Sequence, residues 1–170
     1  SAPAAAVQTL AAKGELTGKV SDRGTSRAVR LRLDGDWRRE AGADRITLRD
    51  AQAEAGGARA AVKASASRAA PGLAWQLKGQ ATLAAFDPAV WWPGREDSPW
   101  RRGPHRLNAK SEFDLTLPPA GPGRALDRLA ALRGQATATL ADSLLAGVPL
   151  RGQLSLRGAA AGALQATAQA

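Results

Sequence analysis

The sequence predicts an all-β fold: a curved antiparallel β-taco or β-groove of solenoid-like form, with a long Trp- and Pro-rich loop and at most one short helix. Apolar and polar residues alternate with a period of two through most of the chain, as in strands with one buried and one solvated face. Short phrases recur, as in stacked strand units. Of the 170 residues 40 are alanine and only 35 are larger apolar residues, few for a two-sided globule.

The clearest alternation runs from Leu107 to Leu117, where eleven residues alternate without interruption. Weaker versions of the same pattern, separated by Gly, Asp or Pro, predict strands in the rest of the chain. An antiparallel meander follows from this spacing. The other predicted strands are 8–12, 15–20, 29–33, 45–54, 60–67, 75–83, 136–141, 150–157 and 164–170.

Three of these strands share the form Leu-x-Gly-x-apolar-x, with glycine at Gly79, Gly134 and Gly152. Glycine within a strand costs about 0.5–1 kcal/mol relative to alanine but permits a bend or bulge that curls a sheet. We expect a trough with an apolar inner face. A purely compositional origin of these glycines stays open, because the chain contains 18 of them.

Residues 86–106 form a Trp- and Pro-rich segment in which the alternation stops, and we expect a long loop there. Residues 123–132 carry the one helical pattern of the chain. The loop is expected to close an open end of the trough, while insertion at a membrane interface and stacking on sugars remain alternatives. The predicted loop and cap residues are Phe86, Asp87, Pro88, Trp91, Trp92 and Trp100.

The formal net charge of +9 favours a polyanionic partner, but 19 of the 24 basic residues are arginines dispersed along the chain. Nucleic-acid binding needs clustered charge and is not expected. A basic surface lying against anionic phospholipid headgroups fits the same composition. No apolar run approaches the roughly 18 residues of a membrane-spanning helix.

No catalytic constellation or metal site is predicted. The chain has no cysteine, and His105 is its one histidine, which we expect to be an ordinary loop residue. The carboxylates are few and, like Glu112 and Asp114, fall on the polar side of strands. Neither a cofactor nor an enzymatic activity is expected, although a glycosidase pair stays formally open.

Three phrases stand out between residues 35 and 156: 75–79 leading into 86–89 with 92–93, the segment 143–156, and 35–37 followed by 46–48. These phrases resemble TamB-like proteins, which belong to the AsmA-like superfamily of repeating β-grooves.

The resemblance implies that residues 1–170 are a single β-groove segment of a larger Gram-negative envelope protein. Such a protein is anchored in the inner membrane, extends through the periplasm and moves phospholipid to the outer membrane. The implied partners are phospholipid acyl chains, adjoining segments of the same chain and an outer-membrane barrel protein similar to TamA.

We therefore expect an apolar groove that shields lipid acyl chains from water without a covalent step. The alternative is a scaffold for outer-membrane-protein assembly, in which open strand edges bind client strands by β-augmentation. The predicted groove-lining residues are Val29, Leu31, Leu33, Ile46, Leu48, Trp75, Leu77, Leu83, Leu107, Phe113, Leu115, Leu117, Leu140, Leu154 and Leu156.

Overall fold

The computed structural model describes residues 6–22, 25–91, 102–119, 132–158 and 164–169. Within these ranges nine strands form one curved, unclosed sheet in which every strand pairs antiparallel with the next along the chain. The all-β prediction is confirmed. The strands are β1 Gln8–Asp22, β2 Thr25–Glu40, β3 Ala43–Ala55, β4 Ala58–Arg68, β5 Trp75–Phe86, β6 Leu107–Leu117, β7 Arg133–Leu145, β8 Val148–Gly158 and β9 Leu164–Gln169.

Strand ends differ from prediction where the apolar alternation is interrupted. Strand β6 has the predicted bounds. The two strands predicted between residues 8 and 20 are one, because β1 continues through Lys13 and Gly14. Strand β5 extends to Phe86, three residues further than predicted, and pairs there with Leu107. The backbone bonds of a neighbouring strand hold such residues in the sheet whether or not their side chains alternate.

Tight turns explain why neighbouring strands stay in register. Strands β2 and β3 are joined by Ala41 and Gly42, and strands β7 and β8 by Ala146 and Gly147, with φ between 49° and 83° at all four residues. Two residues with positive φ make a turn whose twist matches that of antiparallel strands. The two alanines adopt this conformation although it is uncommon for a residue with a Cβ.

Irregularities bend the ladder at four places in the described strands, and one of them lies beside a repeated glycine, since Gly152 pairs with Leu140 at the edge of its shift. Register shifts lie beside Gly35, between Leu48 and Ala51, between Leu83 and Phe86, and between Leu140 and Ser143. Gly79 lies in regular pairing and marks no bulge. Glycine at this position lets the Phe113 ring lie close to the backbone, since a Cβ there would lie 2.6 Å from that ring.

The sheet is a single layer in the part of the chain that the structure describes. Its strands contact their sheet neighbours extensively, and Ala58, at 9% exposure, is the one hydrophobic residue there that is buried. One helical turn, α1 (Pro88–Trp91), follows β5, inside the segment predicted to be all loop. The helical pattern predicted at 123–132 lies almost entirely outside the described residues.

Candidate functional site

One face of the sheet is apolar from β1 to β8. Residues paired directly across two strands lie on the same face, and successive residues of a strand alternate between faces. The pairs Leu16 with Leu31, Ile46 with Ala66 and Leu77 with Leu115 therefore extend one surface across the sheet. We call this surface the apolar face, and all fifteen residues predicted to line a groove belong to it.

The opposite surface, the polar face, carries charged and hydroxyl side chains at the alternate positions. Cross-strand pairs such as Lys78 with Asp114 and Gln80 with Glu112 occupy it. Ion pairs join neighbouring strands there, including Glu15 with Arg30 and Arg32 at 3.0 and 2.9 Å. The register shifts keep the apolar residues of neighbouring strands on one face, and Ser143, which pairs with Leu150, is the polar exception beside a shift.

The apolar face is open to solvent, and most so at the β1 edge. Leu10 and Leu16 of β1 are 64% and 66% exposed, whereas Leu77 and Leu83 of β5 are half-buried. From Trp75 to Ala84 in β5, each apolar-face residue is half-buried and each polar-face residue is exposed. Each square ångström of apolar surface left in water costs about 25 cal/mol, so this face gains stability when something apolar covers it.

Polar residues terminate the apolar face at one end of the strands. Asp44 is buried, and its carboxylate accepts hydrogen bonds from Arg39 Nε at 2.7 Å, Arg68 Nε at 2.6 Å and Trp37 Nε1 at 3.1 Å. The Arg39 guanidinium lies 5.2 Å from the Trp37 ring centroid, and that of Arg68 lies 4.8 Å from the Trp75 ring centroid. We call these five residues the Asp44 cluster.

The arginines control the ionisation of Asp44. The hydrogen bond from Arg39 is the largest influence holding the Asp44 pKa far below its ordinary value, and bonds from Arg68 and Trp37 act in the same direction. Burial opposes this shift because it disfavours the charged carboxylate. The hydrogen bond to Asp44 raises the pKa of Arg39 in turn. The cluster therefore holds two positive charges and one negative charge across the ordinary pH range.

The other end of the strands is organised by Asn108, which joins two bulges. Its side-chain oxygen accepts the Ala85 N–H at 2.9 Å, and its side-chain nitrogen donates to the Asp142 carbonyl at 2.7 Å. Ala85 and Asp142 have φ of 53° and 50°, so each bulge leaves a backbone group free for this bond. The buried Ser143 hydroxyl accepts the Asn108 N–H at 2.9 Å.

His105 lies at the same end, in the loop before β6 as expected, and its side chain is buried. Its Nδ1 accepts the Ala146 N–H at 2.9 Å, in the turn between β7 and β8. The Pro104 carbonyl accepts the Gly147 N–H at 2.9 Å beside it. His105 thus links the segment before β6 to the hairpin of β7 and β8 by a hydrogen bond.

The predicted loop and cap residues are only partly within the described chain. Phe86 ends β5, and Asp87 caps the helical turn by accepting the Ala89 N–H at 2.9 Å. Pro88 takes the first helical position, where its missing N–H costs nothing. The Trp91 side chain, Trp92 and Trp100 lie outside the described residues, so end closure by tryptophan stays a prediction.

Two depressions indent the sheet. One of about 740 Å³ is lined mainly from the polar face, by residues that include Lys63, Lys78 and Glu112. The other, of about 870 Å³, lies at the end of the strands that carries Asp44 and Arg68, and polar-face residues such as Arg38, Arg45 and Gln76 line most of it. Neither is an enclosed apolar cavity, so the apolar face is an open surface and not a pocket.

Sequence reasoning missed the Asp44 cluster and the role of Asn108. The signal for the cluster was the alternation itself, because Arg39, Asp44 and Arg68 each lie two residues beyond an apolar-face residue. Recognising them as neighbours requires the register between three strands, which the pattern alone does not provide. No pattern marks Asn108, since its partners are backbone atoms released by bulges.

Within the described ranges no group of three His, Cys, Asp or Glu residues is placed to hold a metal ion. No helix in those ranges has the length and apolar character to cross a membrane. Comparison with protein-family models, with curated proteins and with solved structures finds no match to this chain.

Proposed function

We propose that this chain is a β-groove segment that shields lipid acyl chains from water on its apolar face. The observation that supports it is the continuity of that face, which runs across eight strands; between the Asp44 cluster and the turns at the opposite end, Arg27 is its one charged residue in the described strands. Its half-buried and exposed leucines form no packed core with the described residues.

The size of the face suits an acyl chain. Eight strands at a spacing of about 4.8 Å extend for about 34 Å, and eleven residues of β6 extend for a similar length. One leaflet's acyl chains occupy half of the roughly 30 Å hydrocarbon core of a bilayer. Each CH₂ covered by the face gains about 0.8 kcal/mol, which favours lipid transfer through water with no covalent chemistry.

The proposal extends to the protein's setting. We assign the chain to the TamB-like proteins, as a segment of a periplasmic protein anchored in the inner membrane that delivers phospholipid to the outer membrane. The adjoining segments of the same chain and a TamA-like outer-membrane barrel are the proposed protein partners. The resemblance of phrases such as Phe86-Asp87-Pro88 supports this assignment.

The test is native mass spectrometry of the purified chain, with Leu115→Asp compared with Thr116→Asp. These residues are neighbours in β6 and lie on opposite faces. Leu115→Asp places a charge on the apolar face and should remove copurified phospholipid, whereas Thr116→Asp should retain it. Phospholipid bound equally to both variants would contradict the proposal, as would its absence from the unmodified chain.

In the full-length protein the same pair tests transport. Leu115→Asp should abolish lipid crosslinking and transport while the sheet stays folded, because the half-buried Leu115 contributes little to a packed core. Crosslinking and transport that persist in this variant would refute the proposal.

A second candidate function is the assembly scaffold, and the β1 edge favours it. Gln8–Asp22 pairs with β2 along its whole length and pairs with no other described strand. Fifteen residues of edge backbone offer a template for an added strand of a client protein. In the same mass spectra this function predicts a bound peptide in place of phospholipid. The variant Leu16→Pro in β1 should lose that peptide.

A further inference from the structure

The Asp44 cluster carries more positive than negative charge. Arg39 and Arg68 both pair with Asp44, and neither has another carboxylate partner among the described residues. Two guanidinium groups that share one carboxylate leave a net charge of +1. This charge lies on the face whose other members are almost all apolar.

Both arginines keep unused donors. A guanidinium has five N–H groups, and Asp44 engages only Nε and one terminal nitrogen of each arginine. The side chains of Arg39 and Arg68 are 38% and 22% exposed, so solvent reaches them. Asp44 therefore fixes the positions of two arginines whose remaining donors are free to bind an anion.

The cluster also lies where charged and apolar surfaces meet. Ile46, Ala66 and Leu77 are the next residues of the apolar face along their strands, directly beside it. The rings of Trp37 and Trp75 flank the two guanidinium groups. Tryptophan favours such a junction because its ring is apolar and its N–H is polar.

We propose that Arg39 and Arg68 bind the phosphate of an anionic phospholipid whose acyl chains lie on the apolar face. Arginine suits this task because its planar donors match two phosphate oxygens at once. A phosphodiester carries one negative charge and neutralises the excess charge of the cluster. This inference rests on the proposed lipid-shielding function, and it names the headgroup end of the face.

The test is calorimetric titration of the purified chain with dihexanoyl phosphatidylglycerol and, separately, with the uncharged amphiphile octyl glucoside. Arg39→Gln and Arg68→Gln should each weaken phosphatidylglycerol binding about tenfold, as expected for a lost bond between charged groups, and leave octyl glucoside binding unchanged. Arg32→Gln is the matched control, because Arg32 lies on the polar face of the same strand as Arg39 and pairs with Glu15. It should change neither affinity.

A purely structural cluster gives a different result. Arg39→Gln and Arg68→Gln would then weaken the binding of both amphiphiles equally, or the binding of neither, and the inference would be wrong. If neither amphiphile binds the unmodified chain, the lipid-shielding function itself fails. Octyl glucoside binding with no preference for phosphatidylglycerol leaves that function standing and refutes the headgroup site.

Measurements on the unmodified chain keep the test decisive if a variant does not fold. Excess inorganic phosphate should displace phosphatidylglycerol and leave octyl glucoside bound. Inorganic phosphate and glycerophosphoglycerol should each bind at least about tenfold more weakly than the phospholipid, because they lack acyl chains. Equal affinity for free phosphate and phospholipid would identify a site for the free anion and overturn the lipid assignment.

Discussion

Each face of the sheet carries an ion pair between an aspartate and an arginine, but the two pairs differ in their exposure to solvent. On the polar face Asp34 pairs with Arg49 at 2.8 Å, and its side chain is 29% exposed. On the apolar face Asp44 pairs with Arg39 at 2.7 Å, and its side chain is 1% exposed. Since the distances match, the two pairs differ in their access to water and not in their geometry.

The comparison shows which charges the fold depends on. Removing a partner from a solvated pair leaves a charge that water stabilises, whereas removing Asp44 leaves two arginines facing each other on an apolar surface. The polar face therefore tolerates exchange of its charges. The charges of the Asp44 cluster, on the apolar face, are held by several bonds.

The largest expected effect comes from neutralising the two aspartates in parallel. Asp44→Asn should lower the Tm by several degrees, because Arg39 and Arg68 lose their shared counterion. Asp34→Asn should change the Tm by less than about 2 °C. Thermal unfolding followed by circular dichroism measures both, and equal losses would show that the faces do not differ in solvation.

The pH dependence of stability sharpens the same contrast. The folded-state pKa of Asp44 is depressed, mainly by the hydrogen bond from Arg39. Its contribution is therefore fully present above the unfolded carboxyl pKa of about 3.9 and is lost as the pH falls through the folded value. Urea unfolding from pH 7 down to pH 2 should show a constant difference between the unmodified chain and Asp44→Asn above about pH 4 and a shrinking difference below it. Parallel curves would contradict this account.

Within the apolar face, the crowded centre differs from the open edge. A Cβ at Gly79 would lie 2.6 Å from both the Lys63 carbonyl oxygen and the Phe113 ring, whereas one at Gly14 would meet nothing within 4 Å. Gly79→Val should cost about 1–3 kcal/mol of unfolding free energy. Gly14→Val should change it by less than about 0.5 kcal/mol. Urea titration compares them, and a tolerated valine at Gly79 would mean that Phe113 does not lie over it.

The smallest effect is expected for an exposed pair on the polar face. Glu15→Gln removes the partner of Arg30 and Arg32, and should change the unfolding free energy by less than about 1 kcal/mol. The difference should disappear in 1 M salt, which screens exposed charges. A larger change that persists in salt would place this pair in a less solvated setting than its exposure indicates.

The alternation in the sequence was sufficient to predict which residues share the apolar face, but it did not predict the contacts at the two ends of that face. Strand β6 was predicted at its observed bounds, since eleven residues alternate strictly. The same rule assigned all fifteen predicted residues to one face. It was silent on Asp44 and His105, because neighbouring strands and a hairpin turn decide what these residues contact.

The central claim is that acyl chains lie on the apolar face, and a photocrosslinking scan of β6 tests it most directly. A photoreactive amino acid is placed at each position from Leu107 to Leu117 in turn, and crosslinks to copurified phospholipid are counted. The account predicts a period of two, with strong crosslinks at 107, 109, 111, 113, 115 and 117 and weak ones at the five positions between. Uniform crosslinking, or maxima at 108, 110, 112, 114 and 116, would contradict it.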